Sequence, residues 1–129
     1  MAFHTLIVDD SSAVRAFVRA SLEDSDFARV EEAETGFEAL QLLASNAFDV
    51  VIVDVNMPDI NGLELLAFMK KSPRQRGARK ILISTHADGA DAERGAELGA
   101  DAFLEKPFGV DELRALVSAV LDPVAEVSG

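Results

Sequence analysis

The chain has no cysteine, which excludes disulfides, thiolate zinc centres and a thiol nucleophile. No apolar stretch approaches the roughly 18 residues of a membrane-spanning helix, so membrane insertion is not expected. The first residues lack a basic region followed by a long apolar core, the pattern of a secretory leader. A cytoplasmic location is therefore expected, and the lack of cysteine is compatible with it. Basic residues are scarce, 12 against 23 acidic ones, for a formal net charge of −11. Nucleic-acid binding needs a basic footprint to neutralise phosphates and is not expected. The charge suits a soluble protein that meets basic or metal-bearing partners. Repeats, linkers and low-complexity segments are also missing. A chain of 129 residues then reads as one domain, with a core over about 4–121 and a short tail over 122–129.

What the sequence does contain is an alternation of short apolar runs and helical patterns, which implies βαβ units and a parallel sheet. Residues 3–8 read as a first strand, 28–33 as a weak second one, and Val50–Val53, Ile81–Ile83 and Ala102–Leu104 as three more. Between them, Ser11 or Ser12 can cap a helix that carries Val14, Phe17, Val18 and Leu22 on one face. Thr35 with Glu38 forms a capping-box pattern ahead of Leu40 and Leu43. Asn61 with Glu64 can cap a third helix running to about Ser72. Residues 73–79 read as a polar loop. Asp88 to Asp91 precede a short helix, which Gly99 would end, and the acidic run over 87–97 reads as a solvated helix or a partner surface. The last helix carries Leu113, Leu116, Val117, Val120 and Leu121.

Four of the apolar runs end in residues that can do chemistry: Asp9-Asp10, Asp54, Ser84-Thr85 and Glu105-Lys106-Pro107. In a parallel sheet those ends share one edge, where open α/β sheets bind ligands. Alone, Asp10 could merely cap a helix. Three aspartates at the ends of two apolar runs instead repel one another, and a Mg²⁺ ion, which takes oxygen ligands, would relieve them; Mn²⁺ could substitute. Lys106 alone could be a solvated surface lysine; beside the aspartates it suits a phosphoryl oxygen. The hydroxyls of Ser84 and Thr85 could equally satisfy the backbone. His86 reads either as a surface histidine or as a group that influences access. His4 reads as structural, and Phe103 as core.

Asp9-Asp10-Ser11, Asp54 with Met57-Pro58 and Asn61-Gly62, Ser84, Gly99-Ala100-Asp101 and Lys106-Pro107-Phe108 together closely resemble the receiver domain of two-component response regulators. The resemblance covers residues 4 to about 121. It implies a three-layer α/β/α, doubly wound fold with a five-stranded parallel sheet of order 2-1-3-4-5. It also implies that Asp54 is the phosphoacceptor, attacking a phosphohistidine on a histidine kinase or histidine phosphotransferase. By the same resemblance Asp10, Asp54 and the main-chain carbonyl of Asn56 would hold Mg²⁺, with Asp9 acting on the ion through water. Lys106 would pair with the phosphoryl group, Ser84 would be the switch hydroxyl, and Phe103 the aromatic that reports the state. Asn56 and His86 match the family's variable, rate-tuning positions. Thr85 stands where the family prefers a very small residue, and could narrow access to the acyl phosphate.

The expectation is a stand-alone receiver of CheY-like type, possibly in chemotaxis, that signals by phosphorylation-dependent protein contact. Its output partner would dock on the face formed by the fourth helix, fifth strand and fifth helix. It would be a monomer or a weak, phosphorylation-dependent dimer. It would not be an enzyme in the ordinary sense, apart from catalysing its own phosphorylation from small donors and its own dephosphorylation. The alternatives are a phosphorelay intermediate and a receiver excised from a larger transcriptional regulator or hybrid kinase. A haloacid-dehalogenase-type phosphatase is disfavoured because Asn56 stands where a second Asp is needed. A flavodoxin-like cofactor binder is disfavoured because Asp9-Asp10 would repel a phosphate.

Overall fold

Strands apolar on both faces belong in the middle of a sheet that is covered on both sides. His4–Val8 and Val50–Asp54 are buried along their whole length. The structure, a computed structural model, describes residues 3–22, 29–85 and 89–121. Its elements are β1 (His4–Val8), α1 (Ser12–Leu22), β2 (Arg29–Ala33), α2 (Gly36–Ser45), β3 (Val50–Asp54), α3 (Gly62–Lys71), β4 (Arg79–Ser84), α4 (Gly89–Glu97), β5 (Ala102–Glu105) and α5 (Val110–Leu121). All strand pairs are parallel, in the order β2-β1-β3-β4-β5. This is the doubly wound arrangement and order expected. Among the described residues no helix is long and apolar enough to cross a membrane.

The pleat sorts the core into two layers, because successive strand side chains point to opposite faces. Leu6, Val8, Val51 and Val53 face Leu43 of α2 and Leu65 and Leu66 of α3. Ile7, Val50, Ile52, Ile81 and Ile83 face Val18 and Leu22 of α1 and Leu113 and Val117 of α5. The same order aligns the strand ends that matter. Asp54 ends β3, Ser84 ends β4, and Asp9 and Lys106 lie just past β1 and β5.

Local details refine the sequence reading. Ser11 caps α1, its Oγ accepting the Val14 N–H at 3.2 Å. Thr35 caps α2 through the Glu38 N–H at 3.0 Å, but the return bond of the expected box goes elsewhere: the Glu38 carboxylate accepts the N–H of Glu34. At α3 both halves of the Asn61–Glu64 box form. Gly99 ends α4 with φ of +96°, a left-handed conformation that disfavours any side chain. Phe17, expected on the buried face of α1, is 39% exposed and packs edge-on against Phe108 instead of entering the core. His4 is structural, as expected: its ring pairs with Glu31 and lies against Phe48. Ala28, Asp88 and the tail from 122 lie outside the described residues.

The largest correction concerns residues 73–79. Pro73–Gln75 is a turn of 3-10 helix, and Gln75 is fully buried rather than part of a polar loop. Its Nε2 donates to the carbonyls of Leu43 and Asn46, each at 2.6 Å, and its Oε1 accepts the Phe48 N–H at 3.3 Å. One amide thus satisfies three backbone groups of the segment that leads into β3, groups no local turn supplies. Gln75→Ala would leave them unpaired and is expected to cost about 2 kcal/mol, read as a lower urea midpoint. An unchanged midpoint would show that water replaces the amide.

Candidate functional site

Because β1 and β3 are adjacent, Asp9 and Asp54 end up side by side, and both are buried. Asp10 lies one residue further out and is exposed. One oxygen from each of Asp9, Asp10 and Asp54 falls within 4.8 Å of the others. The Asp9 Oδ1 accepts the Ser11 N–H at 2.9 Å. The Asp54 Oδ1 accepts the Asn56 N–H at 3.1 Å. The remaining oxygens face Lys106, whose Nζ donates to Asp9 Oδ2 at 2.9 Å and to Asp54 Oδ2 at 3.3 Å. Lys106 is held in turn through its backbone, its N–H donating to the Ser84 carbonyl at 2.8 Å.

The start of α3 closes over the same site. A Cβ on Gly62 would stand 2.6 Å from the carbonyl oxygen of Asp54, so only glycine lets the helix begin there. The Gly62 N–H donates to the Val55 carbonyl at 3.1 Å. Burial pushes the Asp54 carboxyl above its ordinary pKa, and the neighbouring Asp9 charge adds to this against the pull of the Asn56 N–H and Lys106. For Lys106, burial would lower the pKa, but the bond to Asp9 and the charges of Asp54 and Asp9 outweigh it and hold the ammonium above its usual value. The donor set is all carboxylate, which fits a small hard cation such as Mg²⁺.

The structure therefore brings Asp9, Asp10, Asp54 and Lys106 together. Ser84 is buried at the end of β4, and Thr85 beside it is exposed. Asn56 is exposed in the loop after β3, and its backbone N–H bonds to Asp54. Phe103 is half-buried rather than core, and lines a cavity of about 150 Å³ with Leu82, Ala92, Ala96 and Ala100. His86 lies outside the described residues.

Two contributors escaped the sequence reading. Asp59 reaches back from the β3–α3 loop to the start of α2, its carboxylate accepting the N–H groups of Gly36 at 3.0 Å and Phe37 at 2.9 Å. No local spacing announces a cap that comes from so far along the chain. The second is an apolar hollow of about 330 Å³ beside Lys106, lined by Ala13, Val14, Phe17, Pro107 and Phe108. The exposure of Phe17 was its only available sign, and helical periodicity hid it.

Two measurements test this geometry. Mg²⁺ is expected to raise the thermal midpoint by several degrees, as a ligand at 100 times its Kd adds about 2.7 kcal/mol; Asp10→Ala should lose most of that gain. No metal-dependent shift in the wild type would refute a cation site. The Asp59 carboxyl is held below its ordinary range by the N–H of Phe37, with those of Ile60 and Gly36. Its folded pKa is thus depressed, so its stabilisation is present above the ordinary carboxyl pKa of about 3.9 and is lost as pH falls through the lower folded value. Asp59→Ala should melt below the wild type at neutral pH, with the gap closing in acid below about pH 4. A gap that persisted undiminished in acid would mean the carboxylate charge contributes nothing.

Comparison with known proteins agrees with this architecture. Residues 5–118 match the model of the response regulator receiver domain. The response regulator MprA of Mycobacterium sp. (strain KMS) is 38% identical over 122 residues, covering 94% of this chain and 51% of that protein. The chain thus spans about half the length of such curated relatives. The probable chemotaxis protein CheY of Rhizobium etli is 30% identical over 115 residues, 89% of each protein. The chemotaxis protein CheY4 of Vibrio cholerae superposes with a TM-score of 0.87 at 31% identity, covering 94% of this chain and all of that one. Fold, strand-end chemistry and sequence converge, and the chain belongs to the response regulator receiver family of two-component signalling systems.

Proposed function

We propose that Asp54 accepts a phosphoryl group from a phosphohistidine on a sensor histidine kinase or a histidine phosphotransferase, in a Mg²⁺-dependent reaction. The observation that carries this reading is the single ammonium of Lys106 bridging Asp9 and Asp54 at 2.9 and 3.3 Å, at the edge where strand ends converge. A carboxylate oxygen of Asp54 attacks phosphorus, the phosphorus–nitrogen bond breaks, and its electron pair leaves with the imidazole. Asp9, Asp10, Asp54 and the Asn56 carbonyl would hold the cation, which supplies neutralising charge for the phosphoryl oxygens. Asp54 is already oriented, because the Asn56 N–H holds one of its oxygens and Gly62 packs on its carbonyl. Lys106 moves from the carboxylates to the phosphoryl oxygens, keeping a charge-assisted bond throughout.

The output follows from the Ser84 carbonyl bond to Lys106 and from the register of Ser84 beside Glu105. A phosphoryl group on Asp54 adds about 1.5 to 2 negative charges and draws the Ser84 hydroxyl towards it. The β4–α4 loop follows, and Phe103 turns into the space beneath α4. Support for that turn comes from the cavity of about 150 Å³ that Phe103 already lines. The altered face of α4, β5 and α5 then changes its affinity for a downstream protein, with no separate substrate turned over. We propose that Asn56, Thr85 and His86, which match the family's variable positions or depart from its pattern, tune the lifetime of the acyl phosphate.

Similarity over most of their length to the CheY relatives favours a single-domain receiver, possibly one that serves motility. The half-length match to MprA favours a receiver within a longer regulator. Both share the same chemistry. Intact mass after treatment with acetyl phosphate and Mg²⁺ tests it. One phosphoryl group is expected on the wild type, none on Asp54→Asn, and none when EDTA is present. Equal labelling of wild type and Asp54→Asn would refute the assignment.

A further inference from the structure

The carbonyl of Asp9 belongs to the peptide unit that joins the two adjacent aspartates, and it is not left to solvent. The Arg15 Nη1 donates to it at 2.7 Å from one turn into α1. That guanidinium is itself fastened: its Nε donates to Glu32 Oε1 at 3.0 Å, and its Nη2 lies 3.9 Å from Glu34. Glu32 is fixed in turn by the Nε of Arg19, which donates to its other oxygen at 2.6 Å. Hydrogen bonding to Arg19, reinforced by Arg15, keeps the Glu32 carboxyl below its ordinary pKa. The Arg15 side chain is only 13% exposed, so this is not a loose surface pair.

Asp10 has no such support of its own. Its side chain is exposed, and among the described residues nothing bonds its carboxylate. A planar peptide has no freedom about its C–N bond, so fixing the Asp9 carbonyl also fixes the direction in which the chain enters Asp10. The Asp9 N–H is already committed to the Ala33 carbonyl at 3.2 Å. On the far side of Asp9, Arg15 fixes the carbonyl itself, while the Ser11 N–H reaches back to the Asp9 side chain.

We propose that Arg15, braced by Glu32 of β2, is a positioning residue of the cation site: it holds the Asp9–Asp10 peptide so that the exposed Asp10 carboxylate reaches Asp9 and Asp54. This rests on the reading of the three aspartates as a cation site. Arg15 itself touches neither the cation nor the phosphoryl group. Charge alone makes the opposite forecast. Deleting a positive group near an anionic site should tighten cation binding, whereas loosening the ligand frame should weaken it. Partners that orient metal ligands typically carry a 10- to 100-fold effect on affinity.

The test is the dissociation constant for Mn²⁺, read from the electron-spin-resonance signal of free ion, with metal-free thermal midpoints measured alongside. Arg15→Ala is expected to bind Mn²⁺ roughly tenfold more weakly than the wild type. Arg15→Lys, which keeps the charge but not the fork, should fall between them. Equal or tighter binding by Arg15→Ala, while Asp10→Ala loses affinity, would overturn the role of Arg15 and leave the site intact. No Mn²⁺ binding by the wild type would overturn the reading of the site, and this inference with it. Glu32→Gln loosens the brace without touching Asp9 and covers the case in which Arg15→Ala does not fold. It should shift affinity in the same direction by less, and no shift would count against the proposal.

Discussion

Two carboxylates buried side by side cannot both stay ionised without a positive partner, and the architecture follows from supplying one. At an effective dielectric of 20, two unit charges 4 Å apart repel by about 4 kcal/mol. That is a large fraction of what a small domain has to spare. Lys106 answers it with one ammonium on both acids. For that ammonium to arrive, β5 must run parallel to β3 with β4 between them, and the chain must turn just beyond Glu105. The neutralising group is thus the last part of the sheet edge to be laid down.

Most of this was legible because it is written in periodicity. Runs such as Val50–Val53 are too apolar for an edge strand, and the residues that follow them are too polar for a core, so the strand ends declare both the sheet and the site. Several features were not legible, for reasons of distance. Gln75 sits in a polar stretch, and only the tertiary fold shows that its amide completes backbone groups some 30 residues earlier. Asp59 caps a helix that begins before β3 is made. Phe17 obeys the helical spacing of a buried face, yet its ring stays exposed and packs edge-on against Phe108. At Glu38 the capping-box spacing is present, but the carboxylate prefers the Glu34 N–H.

The two ends of the sheet differ in how they are fastened. At the end where β3 begins, the Gln75 amide closes buried backbone groups with fixed geometry. At the end that carries the acids, the bonds are ionic and partly exchangeable, and Lys106 shares itself between two acceptors. Neutral bonds sealed in the interior hold one arrangement, while a shared cation can trade partners at small net cost. The same strands thus carry both kinds of fastening, one at each end.

The tight seat of Gly62 reaches beyond local packing. The segment from Val55 to Gly62 is tied at both ends by the Gly62 N–H to the Val55 carbonyl, and in the middle by Asp59 on α2. A Cβ at Gly62 already has no room against Asp54. The length of this loop is therefore quantised: one residue more or fewer breaks at least one tether and shifts the acid it carries. At Gly77, by contrast, a Cβ would meet nothing within 4 Å, so side-chain volume is no constraint there. Changes in chain length should be selected against between residues 55 and 62.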